Sequence, residues 1–143
     1  MTTKKQNAIL WASQVTASVI LLQVVVLKLL AVPEAVFLFD KLGLEPAGRI
    51  GSGALELIAA ICLLSSRLSV IGALISLSVM LAAIYAHITK LGIVLMDSQL
   101  QLNDGGSLFA LSVTVAVCSV ITIILRKKVI DFSSPIVGKQ KLA

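Results

Sequence analysis

Four apolar runs decide what this chain can fold into. Residues 8–32, 48–65, 68–88 and 107–125 are each predominantly apolar, and more polar connections separate them. A helix needs about 20 such residues to cross the roughly 30 Å hydrocarbon core of a bilayer. The expected fold is therefore all-α: an integral membrane protein of four transmembrane helices in an antiparallel up-down bundle, with a short interfacial helix after the first span. Composition agrees. The chain is 58% hydrophobic and 13% charged, whereas soluble domains are about 45–50% apolar and about 25% charged. Its 143 residues leave room for one domain and for no sizeable soluble catalytic domain beside it.

Residues 1–7 read as a cytoplasmic N-terminal tail carrying Lys4 and Lys5. The run 8–32 contains Gln14, Gln23 and Lys28. It exceeds the about 7–15 apolar residues of a signal peptide and reads as the first span. Pro33 suits the first turn of a helix, so PEAVFLFDKLG predicts a short one. Phe37 and Phe39 are expected against the membrane interface, Asp40 and Lys41 toward water, and Gly43 just past the helix end. Glu45-Pro46 turns the chain into the second span. Gly48, Ser52, Gly53, Ala59 and Ala60 are small enough there for close helix contact in lipid.

Ser66-Arg67 is so short a connection that the third span must run beside the second. The longest loop, 90–106, holds an apolar patch, Ile93 to Met96, and the alternation SQLQLN. That alternation suits an extended segment, but a lone strand would lack a sheet partner. Asn103-Asp104-Gly105-Gly106 marks a turn. Residues 126–143 read as a basic, disordered cytoplasmic tail, so that 8–125 is the membrane domain.

The basic residues set the orientation. With the N-terminus inside, Lys4, Lys5, Arg67, Arg126, Lys127, Lys128, Lys139 and Lys141 face the cytoplasm. Lys41, Arg49 and Lys90 face outward, and Lys28 in the first span completes the twelve. The excess inside predicts both termini in the cytoplasm. A net charge of +5 thus serves orientation and lipid headgroups. It forms no basic surface interleaved with aromatic residues, and a nucleic-acid partner is not expected. Cys62 and Cys118 lie within apolar runs, form no CxxC pair and read as small buried hydrophobes.

Glu56 is the residue that asks for a reason, because an acidic group at a helix centre costs about 2.5–3.5 kcal/mol to insert. It lies about eight residues, or roughly 12 Å, from the start of its span. Lys28 near the end of the first span and His87 near the end of the third share that half of the bundle. Gln23 and Ser112 fall at similar depth. Helical spacing puts Arg49, Ser52, Gly53 and Glu56 on one face, Ser76, Met80, Ala83 and His87 on another, and Ser112, Ala116 and Ser119 on a third. If those faces point inward, a polar pocket opens toward the outer surface.

Candidate ligand-binding residues are therefore Glu56, His87, Lys28, Gln23, Arg49 and Ser112, with Lys28, Arg49 or His87 as the charge partner of Glu56. Each group also has a purely structural reading. Lys28 can reach up to the headgroups, His87 can be an interfacial histidine, and a protonated Glu56 can bond two helices. One histidine and one glutamate do not complete a common metal site. No nucleophile triad, P-loop or dinucleotide fingerprint occurs.

In order along the chain, Lys28-Leu29, Pro33, Leu42-Gly43, GALEL with Glu56, Arg67, Gly72 and MLAAIYAH with His87 resemble the DoxX-like family of small four-helix membrane proteins. The resemblance covers about residues 8–125. It implies a membrane subunit of sulfur- or thiol-linked redox systems, some of them quinone-coupled, or an assembly factor for other membrane proteins. On that basis the expected protein is a bacterial inner-membrane, redox-associated accessory subunit. No covalent cofactor is expected, and the pocket would hold a quinone-like or lipid-like molecule. The alternative is an assembly factor or structural subunit without catalysis of its own. Its partners would be the lipid bilayer and either other membrane proteins or further copies of itself.

Overall fold

A computed structural model describes residues 2–98 and 101–137. It is mainly helical: α1 (Thr2–Leu29), α2 (Pro33–Lys41), α3 (Ala47–Leu64), α4 (Ser69–Ala86) and α5 (Ser107–Val137). A π-helical turn, His87–Leu91, continues α4. Four segments are long and apolar enough to cross a membrane: Lys4–Leu29, Ala47–Leu64, Ser69–Leu91 and Ser107–Arg126. These are the helices of a multi-pass membrane protein.

α1 packs on α3 and α5, and α4 packs on α3 and α5 from the other side. The buried positions explain the arrangement. On α1 they are Leu10, Ser13, Gln14, Ala17, Ser18, Leu21 and Val25, one stripe at helical spacing. On α3 the stripe runs Arg49, Gly53, Glu56, Ala59, Ala60 and Leu63. The expected inward faces of α3, α4 and α5 are the ones that pack, and Ser76, Met80, His87, Ser112, Ala116 and Ser119 are all buried. Small residues dominate the centre, as lipid-embedded helices require for close approach. At Gly72 a Cβ would lie 2.6 Å from the Leu63 nitrogen and 2.8 Å from the Ala59 oxygen. No side chain fits between α3 and α4 there.

The end of the bundle near Ser13 and Arg126 is tied by hydroxyls. Ser13 and Thr122 share a hydrogen bond at 3.3 Å, Ser76 and Ser119 share one at 2.6 Å, and Ser18 donates to the Ala60 carbonyl at 3.2 Å. Arg126 donates to Ser69 at 2.9 Å. Gln14 is fully buried amid this layer, and neither its amide oxygen nor its nitrogen has a partner among the described residues.

The opposite end carries α2 and the longest loop. Val32 is extended, with ψ 149°, as a residue before proline must be, so α1 stops at Leu29 and not at 32. α2 then crosses the end of the bundle, touching α1, α3 and the π-helical turn. Gly43, at φ +72°, ends it as expected. Its amide bonds the Asp40 carbonyl at 2.8 Å, and the Leu44 amide bonds Phe39 at 2.9 Å, a paired closure that needs a left-handed residue.

Four expectations are corrected. Phe39 faces inward and is buried, although Asp40 and Lys41 are exposed. The loop alternation does find a sheet partner, since Leu102–Asn103 (β2) pairs antiparallel with Met96–Asp97 (β1) in the same loop. The fourth span ends at Arg126, close to the expected 125, but the helix α5 continues past it to Val137, Arg and Lys being good helix formers. Residues 2–7, expected as a tail, belong to α1. Lys139 and Lys141 lie outside the described residues.

Candidate functional site

Lys28 sits in the last turn of α1, where the helix dipole favours a cation. Its ammonium reaches across to α3, donating to Glu56 Oε1 at 2.6 Å and to Ser52 Oγ at 3.1 Å. It also lies over the ring of Phe39, 5.2 Å from the centroid. Glu56 is 1% exposed and Lys28 13%, so this ion pair is withdrawn from solvent on both sides. Of the three expected charge partners of Glu56, Lys28 is the one that pairs. The second carboxylate oxygen, Oε2, is buried with no partner among the described residues.

Arg49 serves a different purpose. It is buried and donates to Glu45 at 2.7 Å. It also donates to the main-chain oxygen of Lys28. It therefore pins the start of α3 to the end of α1, satisfies a helix-terminal carbonyl, and does not line the cavity described next.

That cavity, of about 830 Å³, lies between α1, α3, α4 and α5 beneath α2. Pockets for drug-sized molecules run about 300–1,000 Å³. Its wall is largely aliphatic, including Ile20, Leu21, Val24, Leu27, Val79, Leu108 and Leu111, with Lys28, Ser52, Glu56, His87 and Ser112 as its polar inner groups. Glu34, Lys90, Asn103 and Asp104 also border it. Glu56, His87, Lys28 and Ser112 thus do meet in one space, as their shared level in the bundle suggested.

His87 is 2% exposed and opens the π-helical turn. Its Nδ1 is 2.9 Å from the Gly92 carbonyl, while the Gly92 amide donates to the His87 carbonyl at 2.8 Å. A carbonyl only accepts, so Nδ1 carries a proton toward it, which leaves Nε2 as the nitrogen that turns elsewhere. Gly92, at φ +84°, makes this closed turn possible. Phe109 packs edge-on against the imidazole, with centroids 5.7 Å apart.

Gln23 is the misplaced member of the expected set. It is exposed on the outside of α1. At 100° per residue it stands about 140° around the helix from Lys28, whereas Gln14 stands only about 40° away. Taking Lys28 as the inward marker would have selected Gln14 and rejected Gln23. Phe39 was missed for a related reason, since a nine-residue helix shows too few turns to declare its buried side.

No family model, curated protein or solved structure matches this chain. The site must therefore be read from its own chemistry. An aliphatic cavity with one internally paired charge and a few fixed polar atoms suits an elongated amphiphile. Among the described residues no three His, Cys, Asp or Glu side chains form a group that could hold a metal ion. Cys62 and Cys118 are free and half-buried.

Proposed function

We propose that this protein binds the polar end of a lipid-like or quinone-like molecule within the membrane, as a DoxX-like accessory subunit of a redox system in a bacterial inner membrane. The observation that carries this reading is the cavity of about 830 Å³ with the buried Lys28–Glu56 pair in its wall. A desolvated ion pair adds little stability that well-packed apolar residues would not. Ionisable groups kept inside a membrane domain mark ligand or ion sites by default.

Four apolar helices, contacts that join the end of α1 to the start of α3 (Arg49 to the Lys28 main chain) and the start of α4 to Arg126, and the excess of basic residues at the termini support an antiparallel up-down bundle. Both termini are then cytoplasmic, α2 rests at the outer interface, and the cavity faces the outer leaflet. The lipid bilayer is the first partner. Glu56, His87 and Ser112 would hold the polar end, Lys28 would fix the Glu56 carboxylate, and Arg49 would hold the helices that carry them.

The test is native mass spectrometry after gentle extraction, on wild type, Glu56→Gln and the cavity-filling Ala83→Phe. A small molecule retained by wild type and lost from Ala83→Phe supports the reading. No retained molecule in any sample refutes it.

A second reading, an assembly factor or structural subunit, has its own observation. Ile93 and Met96 at the loop are 59% and 62% exposed, beside the fully buried Leu95. Under that reading Ile93→Ser with Met96→Ser releases a co-purifying protein, and Ala83→Phe does not.

A further inference from the structure

The polar atoms of the cavity are not a balanced set. Ser52 donates its hydroxyl proton to the Arg49 carbonyl at 3.2 Å, Ser112 to the Leu108 carbonyl at 2.9 Å, and Thr89 to the Tyr85 carbonyl at 2.8 Å. All three line the cavity, and all three direct their only proton into their own helix. Lys28 has three N–H groups. Two meet Glu56 and Ser52, and the ammonium otherwise faces the Phe39 ring. His87 directs its Nδ1 proton to Gly92.

Among the inner groups Ser52, Glu56, His87 and Ser112, what remains open is acceptor capacity. Glu56 Oε2 has no partner among the described residues. Ser112 Oγ keeps its lone pairs. The further donors on the cavity wall, Tyr85, Lys90, Asn103 and Ser107, belong to exposed residues, in contrast to these buried atoms. The inner charges cancel as Lys28⁺ and Glu56⁻, so that end of the cavity offers an anion no net charge.

We infer that the cavity selects an amphiphile whose polar end is an uncharged hydrogen-bond donor, a hydroxyl above all, over one that ends in an ether, a carbonyl alone or an anion. This rests on the cavity being a ligand site, as proposed above, and it names the class of ligand. A buried carboxylate oxygen left without a donor is costly, so an occupant that supplies O–H removes that cost, and one that cannot leaves it in place. The same preference would separate a quinol, which donates, from the corresponding quinone, which only accepts.

The experiment offers the intact protein, in detergent, a long-chain 1-alkanol, its methyl ether and the carboxylate of the same chain, and measures retention by native mass spectrometry. The expected result is that the alkanol is retained about tenfold to a hundredfold better than the ether or the carboxylate, the range for a hydrogen bond to a charged group. Glu56→Gln, whose amide adds donors, should bring the ether level with the alkanol. Equal retention of alkanol and ether by wild type overturns the inference and leaves the cavity as an apolar ligand site. Preferred retention of the carboxylate overturns it in favour of a cationic site. If wild type retains none of the three and behaves as Ala83→Phe does, the cavity reading itself fails, and the inference with it.

Discussion

Breaking the Lys28–Glu56 pair from one side should cost far more than removing it whole. At 2.6 Å and an effective dielectric of about 20, the gross attraction is about 6 kcal/mol. Much of that is offset by the loss of hydration of both ions, so the pair itself is worth little. A lone survivor keeps the desolvation cost without the attraction. Lys28→Met and Glu56→Leu are each expected to destabilise by about 3–5 kcal/mol, and the double variant to lie within about 1 kcal/mol of wild type. Reversible unfolding in mixed micelles, followed by circular dichroism, gives the four corners of a double-mutant cycle. The Arg49 bond to the Lys28 main-chain oxygen persists in every variant, so the joint between α1 and α3 is held constant. Two small, additive single effects would show that water reaches both ions, and the description of a buried pair would be wrong.

Three further outcomes follow from local geometry. Gly72→Ala should lower the melting temperature, since its Cβ would meet backbone 2.6 Å away and overpacking costs about 1–3 kcal/mol. Gly51→Ala, with nothing within 4 Å, is the neutral control, and equal melting of the two variants would refute the close contact of α3 and α4. Gln14→Leu should stabilise by about 1–3 kcal/mol in the same unfolding assay, because it removes a buried amide left without partners, and a loss of stability would mean that the amide is bonded. Asp104 accepts from the amides of Leu95, Gly106 and Leu108 at 2.6, 3.0 and 3.2 Å. Asp104→Ala should cost about 0.5–2 kcal/mol and speed hydrogen exchange at those three amides, while unchanged exchange would dissociate the carboxylate from the start of α5.

The helices were legible because hydrocarbon length and apolar runs leave few choices, and Pro33 and Gly43 punctuate α2 by their own backbone limits. The common level of Lys28, Glu56 and His87 was legible from counting residues along spans. What counting could not supply is rotation of one helix against another. Lys28, Arg49 and His87 were equally good partners for Glu56 until α1 and α3 were set face to face. Gln14 and Gln23 look alike in one dimension and lie on different sides of the same helix. The loop pairing was hidden because two-residue strands carry almost no periodic signal, and the helicity of 126–137 because charged residues say where a membrane ends and not where a helix does.

The hydroxyl seam has a mechanical meaning. In lipid no hydrophobic force holds helices to one another, and each interhelical hydrogen bond adds about 0.6 kcal/mol on average. Ser13–Thr122, Ser76–Ser119, Ser18–Ala60 and the tight contact at Gly72 all lie toward the end near Ser13 and Arg126. The far end encloses empty volume under a nine-residue helix. Hydroxyl bonds and close backbone contact thus hold one end of the bundle, while at the other the Lys28–Glu56 pair and the Arg49 bond to the Lys28 main chain join α1 to α3 beside the cavity. On the proposed reading, a long-tailed guest would enter at the looser end, between helices that no hydroxyl bond among the described residues ties there.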